Sequence, residues 1–230
     1  MIKRIVKTQS PSPTNEGLGN RRRAEESVAR DYLKFYETPF GREVLRIEAG
    51  YIRGWLGDCN RILDVGCGPG AFEGELPELN IVGIDSNPKM IKVARENSDA
   101  EFKVGSAEKL PFPNSSFDGV FLVSALAFID DYRKAIDEVA RTLIPNGKIV
   151  ALLCNTESNY FREKLASGRY TASNIKHNDM KSILAYLSTR FDLDGEYMIG
   201  VDGDRLSDTV DAKMASIYAV KGTVKSGGRK

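Results

Sequence analysis

Apolar positions along the chain repeat with two different periods, and each change of period marks an element. Between residues 22 and 36 they recur at Val28, Tyr32, Leu33 and Tyr36, the spacing of one helical face. Thr38-Pro39-Phe40-Gly41 interrupts that face, and a second helix is predicted over 42–56, carrying Val44, Leu45, Ile47, Tyr51, Ile52 and Trp55. Short apolar runs of strand length then alternate with amphipathic stretches. Strands are predicted at 62–65, 80–85, 102–104, 117–123 and 148–153. Helices are predicted over 71–76, where Pro77 ends the run, and from Ser86-Asn87-Pro88 to about residue 96. A third runs to Leu143 behind a cap at Asp130 or Asp131, with Tyr132, Ala135, Ile136, Val139, Ala140 and Leu143 on one face. A helix over 179–187 and two strands over 191–201 and 213–220 follow. This alternation predicts an α/β fold: a doubly wound, mostly parallel seven-stranded sheet with an antiparallel edge strand.

One domain over 21–222 accommodates these elements. The stretch 1–20 carries Pro11, Pro13, Gly17 and Gly19 among Ser, Thr and Asn and is expected to be a disordered tail. The polar, basic stretch 223–230 is expected to be a flexible one.

Composition narrows the function classes. A 41% apolar share in 230 residues is enough for a sizeable core. The net charge of +1 offers no global field to draw in nucleic acid or a membrane surface. Arg21, Arg22 and Arg23 read as a solvated helix start. There is no apolar run long enough to span a bilayer, and the first seven residues lack the apolar core of a secretory signal. Cys59, Cys67 and Cys154 form an odd set without CxxC spacing, as expected of reduced thiols in a cytoplasmic protein without a zinc site. His177 is the only histidine, and its setting before a predicted helix suits surface capping rather than catalysis.

The chemistry concentrates at residues 61–70, Arg-Ile-Leu-Asp-Val-Gly-Cys-Gly-Pro-Gly. A buried strand ends in glycines at 66, 68 and 70, and a helix follows. Glycines at alternate positions let a ligand lie directly on the main chain. Gly66, Gly68 and Ala71 also satisfy the dinucleotide fingerprint, with Asp85 at the distance where that fingerprint wants an acid. Two features disfavour a dinucleotide or nucleotide phosphate. Asp64 would repel a pyrophosphate, and the loop lacks the Lys and Ser/Thr of a P-loop. A cofactor with a positive amino group and no phosphate suits the loop better, and S-adenosylmethionine is one. On this reading Gly66→Val abolishes binding without unfolding the chain, because the side chain enters the ligand's space.

The stretch resembles motif I of the class I S-adenosylmethionine-dependent methyltransferases, acid-x-Gly-x-Gly-x-Gly, and the type 11 subfamily in particular. The resemblance implies S-adenosylmethionine as cofactor and a Rossmann-like fold. It implies cofactor contacts from Asp64, Gly66, Cys67 and Gly68, and from Asp85 as the acid that accepts both ribose hydroxyls, with Ser86 and Met90 beside it. The family usually reads Gly-Asp-Ala-Glu where this chain has Gly105-Ser106-Ala107-Glu108, so adenine recognition passes to Ala107 and Glu108, with Ser106 third. Val123 and Ser124, after the fourth strand, pass beside the methionine moiety, and nothing there resembles the Asn/Asp-Pro-Pro-Tyr/Phe run of base-methylating enzymes. The helices over 21–57 are expected to form a lid, with Tyr36, Thr38 and Phe40 as its candidates, and 155–178 an insertion that shapes the acceptor pocket. The expected partner is a small-molecule methyl acceptor. Methylation of tRNA or protein, a non-catalytic S-adenosylmethionine-binding role and a nicotinamide dehydrogenase are the alternatives. No catalytic residue is named: methyl transfer needs in-line positioning and exclusion of water more than acid–base groups.

Overall fold

The computed structural model describes residues 28–166 and 175–225. The stretch 1–20, the arginines at 21–23, residues 167–174 of the insertion and the end of the chain from 226 lie outside the described residues. In chain order the elements are α1 (28–37), α2 (Pro39–Leu56), β1 (Ile62–Val65), α3 (Ala71–Glu75), β2 (Ile81–Asp85), α4 (Pro88–Asn97), β3 (Glu101–Val104), β4 (Phe117–Val123), α5 (Tyr132–Thr142), β5 (Leu143–Cys154), α6 (Asn159–Ala166), α7 (Met180–Arg190), β6 (Phe191–Asp202), β7 (Arg205–Ser207) and β8 (Ala215–Val224).

The strands form one sheet in the order β3-β2-β1-β4-β5-β8-β6-β7. The first five are mutually parallel, and β8, β6 and β7 are joined antiparallel. The described residues therefore hold eight strands where the pattern predicts seven. The addition is β7, three residues returned onto β6 by a turn at Gly203 (φ +60°), too short to show an alternation. Likewise β8 runs on to Val224, because Thr223 and Val224 pair with Asp192 and Phe191. The chain leaves β1 toward β2 on one side and returns to β4 on the other. This reversal opens a crevice at the carboxyl ends of β1 and β4, where doubly wound sheets bind their ligands.

Period-two geometry sorts the strand residues onto two faces. Leu63, Val65, Val120, Leu122, Ile149 and Ala151 pack with α5 and α7. Ile62, Phe121, Val150 and Leu152 pack on the other face with Leu45, Ala49, Ile52 and Leu56 of α2 and Phe72 of α3. Asp64 falls in the register of Ile62, so its carboxyl points toward the α2 and α3 side, as do Val123 and Cys154 at the neighbouring strand ends. The caps follow from residue chemistry. Thr38 accepts from the Gly41 amide at 3.0 Å, Asn87 from Lys89 at 3.0 Å, and Asp131 from Arg133 and Lys134.

Candidate functional site

A cavity of about 720 Å³ lies over the carboxyl ends of β2, β1, β4 and β5, roofed by α1, the start of α2 and α6. That volume falls among small-molecule sites, about 300–1,000 Å³. All twelve residues named from the sequence line it.

The glycine loop forms the floor. Gly66, Gly68 and Gly70 all hold positive φ, +82°, +54° and +77°. Their reasons differ. A Cβ on Gly66 would lie 2.7 Å from the Ala125 Cβ, whereas one on Gly68 would meet nothing within 4 Å. Gly68 is therefore the position where main chain faces open cavity. The expectation for Gly66→Val is corrected accordingly: that side chain would collide with the 125–127 turn, so the substitution acts first on the fold.

Asp85 ends β2 and ties the loop down. Its Oδ2 accepts from the Gly68 amide at 3.1 Å and its Oδ1 from the Asn87 amide at 2.8 Å. A carboxylate has about four lone-pair sites, so each oxygen can still accept one hydroxyl. Burial pushes its carboxyl up from the ordinary value, while those two amides hold it down.

Asp64 is more enclosed than a strand end suggests. It is 2% exposed and faces Glu73 of α3, itself 2% exposed. Gly83 on the adjacent strand makes the room, since a Cβ there would lie 2.5 Å from Glu73 Oε1. Burial, then the charge of Glu73, pushes the Asp64 carboxyl well up, and burial raises Glu73 to about 7. The two acids hold a proton between them near neutrality, so Asp64 is not the independent charge that the sequence suggests.

The loop over 105–110 is held largely by protein. Ser106 Oγ accepts from the Glu108 amide, and Glu108 Oε1 accepts from the Asp131 amide at 2.8 Å. Glu138 and Arg141 of α5, which the sequence reading missed, clamp the same loop. Glu138 Oε2 accepts from the Leu110 amide at 2.7 Å, and Arg141 donates to the Leu110 and Phe112 carbonyls. Met90 and Ser86 line the cavity beside Asp85. Ser124 stands at the mouth of β4 in a left-handed conformation (φ +55°), its amide donating to the Leu152 carbonyl.

Of the lid candidates, Tyr36 and Phe40 face the cavity, while Thr38 is an N-cap whose hydroxyl also donates to the Phe35 carbonyl. His177 lies within hydrogen-bond distance of the Ile129 and Asp130 carbonyls through Nε2, and stacks edge-on to Tyr132. Two carbonyl acceptors require a proton on that nitrogen, so His177 anchors a loop. The three cysteines are free; burial pushes the Cys59 thiol up to about 11 and raises Cys67 and Cys154 as well, which leaves them poor nucleophiles.

Residues 63–151 match the family model described as a methyltransferase domain, type 11. That match covers less than half of the chain, and it is a likeness to the class I S-adenosylmethionine-dependent methyltransferases. A demethylmenaquinone methyltransferase of Deinococcus radiodurans is 38% identical over 101 residues, 40% of this chain and 42% of that protein. The curated relatives are matched over only 37–53% of their own length. A solved structure from Thermotoga maritima, a possible histamine N-methyltransferase, superposes with a TM-score of 0.73 at 19% identity, covering 86% of this chain and 96% of that one. The N-methyltransferase NodS of Bradyrhizobium japonicum, solved with S-adenosylhomocysteine, gives 0.60 at 18% identity over 84% and 91%. These likenesses establish the methyltransferase fold. No helix among the described residues is long and apolar enough to cross a membrane.

Among the cavity residues unread in the sequence, one outside the matched stretch carries a carboxyl group. Glu48 on α2 is 4% exposed, lines the cavity, and has no hydrogen-bond partner on Oε2. The signal was present: positions 41, 45, 48, 49, 52 and 56 form the buried stripe of α2, and Glu48 is the single charged residue in it. Burial pushes its carboxyl up from 4.5 to about 8. A raised acid stabilises the fold fully below the unfolded value and loses that contribution as pH rises to the folded one. Glu48→Gln is therefore expected to gain about 2–4 kcal/mol over the parent at pH 8.5 and little at pH 4.5, read as denaturant midpoints.

Proposed function

We propose that the chain is an S-adenosylmethionine-dependent methyltransferase acting on a small-molecule acceptor. The observation that carries this reading is the partition of one cavity. The bare main chain at Gly68 and the carboxylate of Asp85 occupy one end, and an aromatic-walled space over β4 and β5 occupies the other.

The residues fit the cofactor's parts. Asp85 keeps lone pairs for two ribose hydroxyls. Met90 and the 106–108 turn stand where a base would follow. Gly66, Val123 and Ser124 line the way toward the far end, where a methionine moiety and its sulfonium would point. The cofactor supplies an activated methyl group. The chain supplies alignment and a closed, largely apolar surround. Asp85, Glu108 and Asp130 line the cavity against Lys164 and Lys176, a balance that suits a positively charged ligand better than a pyrophosphate. The printed names, a demethylmenaquinone methyltransferase, a possible histamine N-methyltransferase and an N-methyltransferase, agree on methyl transfer and differ on the acceptor.

Titration calorimetry is expected to give saturable heat with S-adenosylmethionine and S-adenosylhomocysteine and none with NAD. S-adenosylhomocysteine is then expected to accumulate with a metabolite extract. Accumulation only with tRNA or protein would move the acceptor to a macromolecule, and binding without turnover on any extract would make the chain a non-catalytic binder.

A further inference from the structure

We propose that Glu48 is the acceptor-binding carboxylate, and that the acceptor it takes is a small amine. This rests on the methyltransferase reading above and names its substrate class.

The first observation is the position. Glu48 sits on α2, whose neighbours Leu45 and Ile52 pack on Val150 and Leu152 of β5. Asp85 ends β2, and the sheet order between them is β2-β1-β4-β5. Strands are spaced about 4.8 Å, so β5, the strand under α2, lies about 14 Å from β2 in the sheet. Asp85 marks the ribose end, and Glu48 marks the opposite one.

The second observation is the unmet bond. A carboxyl buried to this degree without a partner costs the fold stability, and replacement by an apolar residue would relieve the cost. A ligand N–H donor that reaches Oε2 would supply the missing bond.

The third is the wall. Tyr32, Tyr36, Phe35, Phe40 and Tyr160 form in that order a run of adjoining rings, with centroid separations of 6.3, 5.2, 6.2 and 6.4 Å along it, all lining the cavity. Aromatic faces around a carboxylate are a setting for an ammonium group. Lys164 is already drawn onto the Tyr160 ring at 4.8 Å, and Lys176 pairs with Asp130 at 2.6 Å. The titratable side chains that share Glu48's field are Tyr32, Tyr36 and Cys154, all neutral at working pH.

The chemistry closes. In the free site burial keeps Glu48 protonated, and it releases that proton to water as the ammonium binds. The paired ammonium then gives one proton to the Glu48 carboxylate and becomes a neutral amine. Its lone pair forms the N–C bond to the methyl carbon as the methyl–sulfur bond breaks, leaving that electron pair on sulfur. The N-methylammonium product departs, and Glu48 keeps its proton, as in the free site.

The test uses the full chain loaded with S-adenosylhomocysteine and a panel of primary amines of graded apolar body, 2-phenylethylamine among them, each beside its alcohol and carboxylate isosteres. Calorimetry is expected to show binding of at least one amine, at least tenfold tighter than its isosteres, and with proton uptake or release that varies between buffers. Glu48→Gln and Glu48→Leu are each expected to weaken that amine at least 30-fold and slow its methylation at least 100-fold. Both should leave S-adenosylhomocysteine affinity within twofold. Amine affinity unchanged in both variants, preference for an alcohol or carboxylate isostere, or no amine bound would overturn the proposal while leaving the methyltransferase reading intact. Loss of cofactor binding in the parent chain would strike the methyltransferase reading instead.

Discussion

Gly68→Leu is expected to abolish S-adenosylmethionine binding in a chain that still folds, and Gly66→Ala to damage the fold instead. At Gly68 the side chain would enter open cavity, so the fold bears only the left-handed strain, about 1–2 kcal/mol. The branched carbons would then occupy the space directly over the loop, and titration should show no saturable heat. At Gly66 the same strain adds to a Cβ–Cβ contact of 2.7 Å with Ala125. Overpacking of that kind costs about 1–3 kcal/mol, so the total loss is about 2–5 kcal/mol. Urea midpoints separate the two variants. If both lose binding with equal stability, the open face of the loop is not at Gly68.

Asp85→Ala is expected to weaken S-adenosylmethionine by about 2–4 kcal/mol, roughly 30- to 1,000-fold. Two causes add. The ribose loses a charged acceptor, and the Gly68 and Asn87 amides lose the oxygens that hold the loop and the α4 cap in place. Asp85→Asn keeps the shape but turns a donor toward one amide, so it should fall between. A 2′-deoxy analogue of the cofactor distinguishes the causes: the parent should discriminate against it, and Asp85→Ala should not. Equal discrimination by both would take Asp85 off the sugar.

How far the chain is legible depends on how local each signal is. The runs at β1 and β2 stand out because parallel strands covered on both faces are apolar apart from the one acid each carries. The Asn146 turn was legible too: a left-handed backbone at φ +60° suits asparagine. By contrast β7 is only three residues long and is held by its partner β6, so its own pattern is silent. The twelve residues assigned to the cofactor all reach one cavity, because they sit at strand ends and the turns after them, where a doubly wound sheet gathers its loops. Thr38 went the other way. A hydroxyl before a proline at a helix start is used first by the helix itself.

By itself the order of residues determined the alternation of strands and helices, the bare loop after β1, and an acid at each of two strand ends. Those are properties of neighbours within a few positions, and short-range sterics and solvation write them directly into the pattern. Only the folded chain decided that Asp64 shares its burial with Glu73, that Gly68 and not Gly66 faces the open space, and that Glu48 lines the same cavity. Each of these joins groups from separate elements, and a carboxyl's proton affinity or a Cβ's room depends on what stands opposite it in space, which no run of adjacent residues encodes.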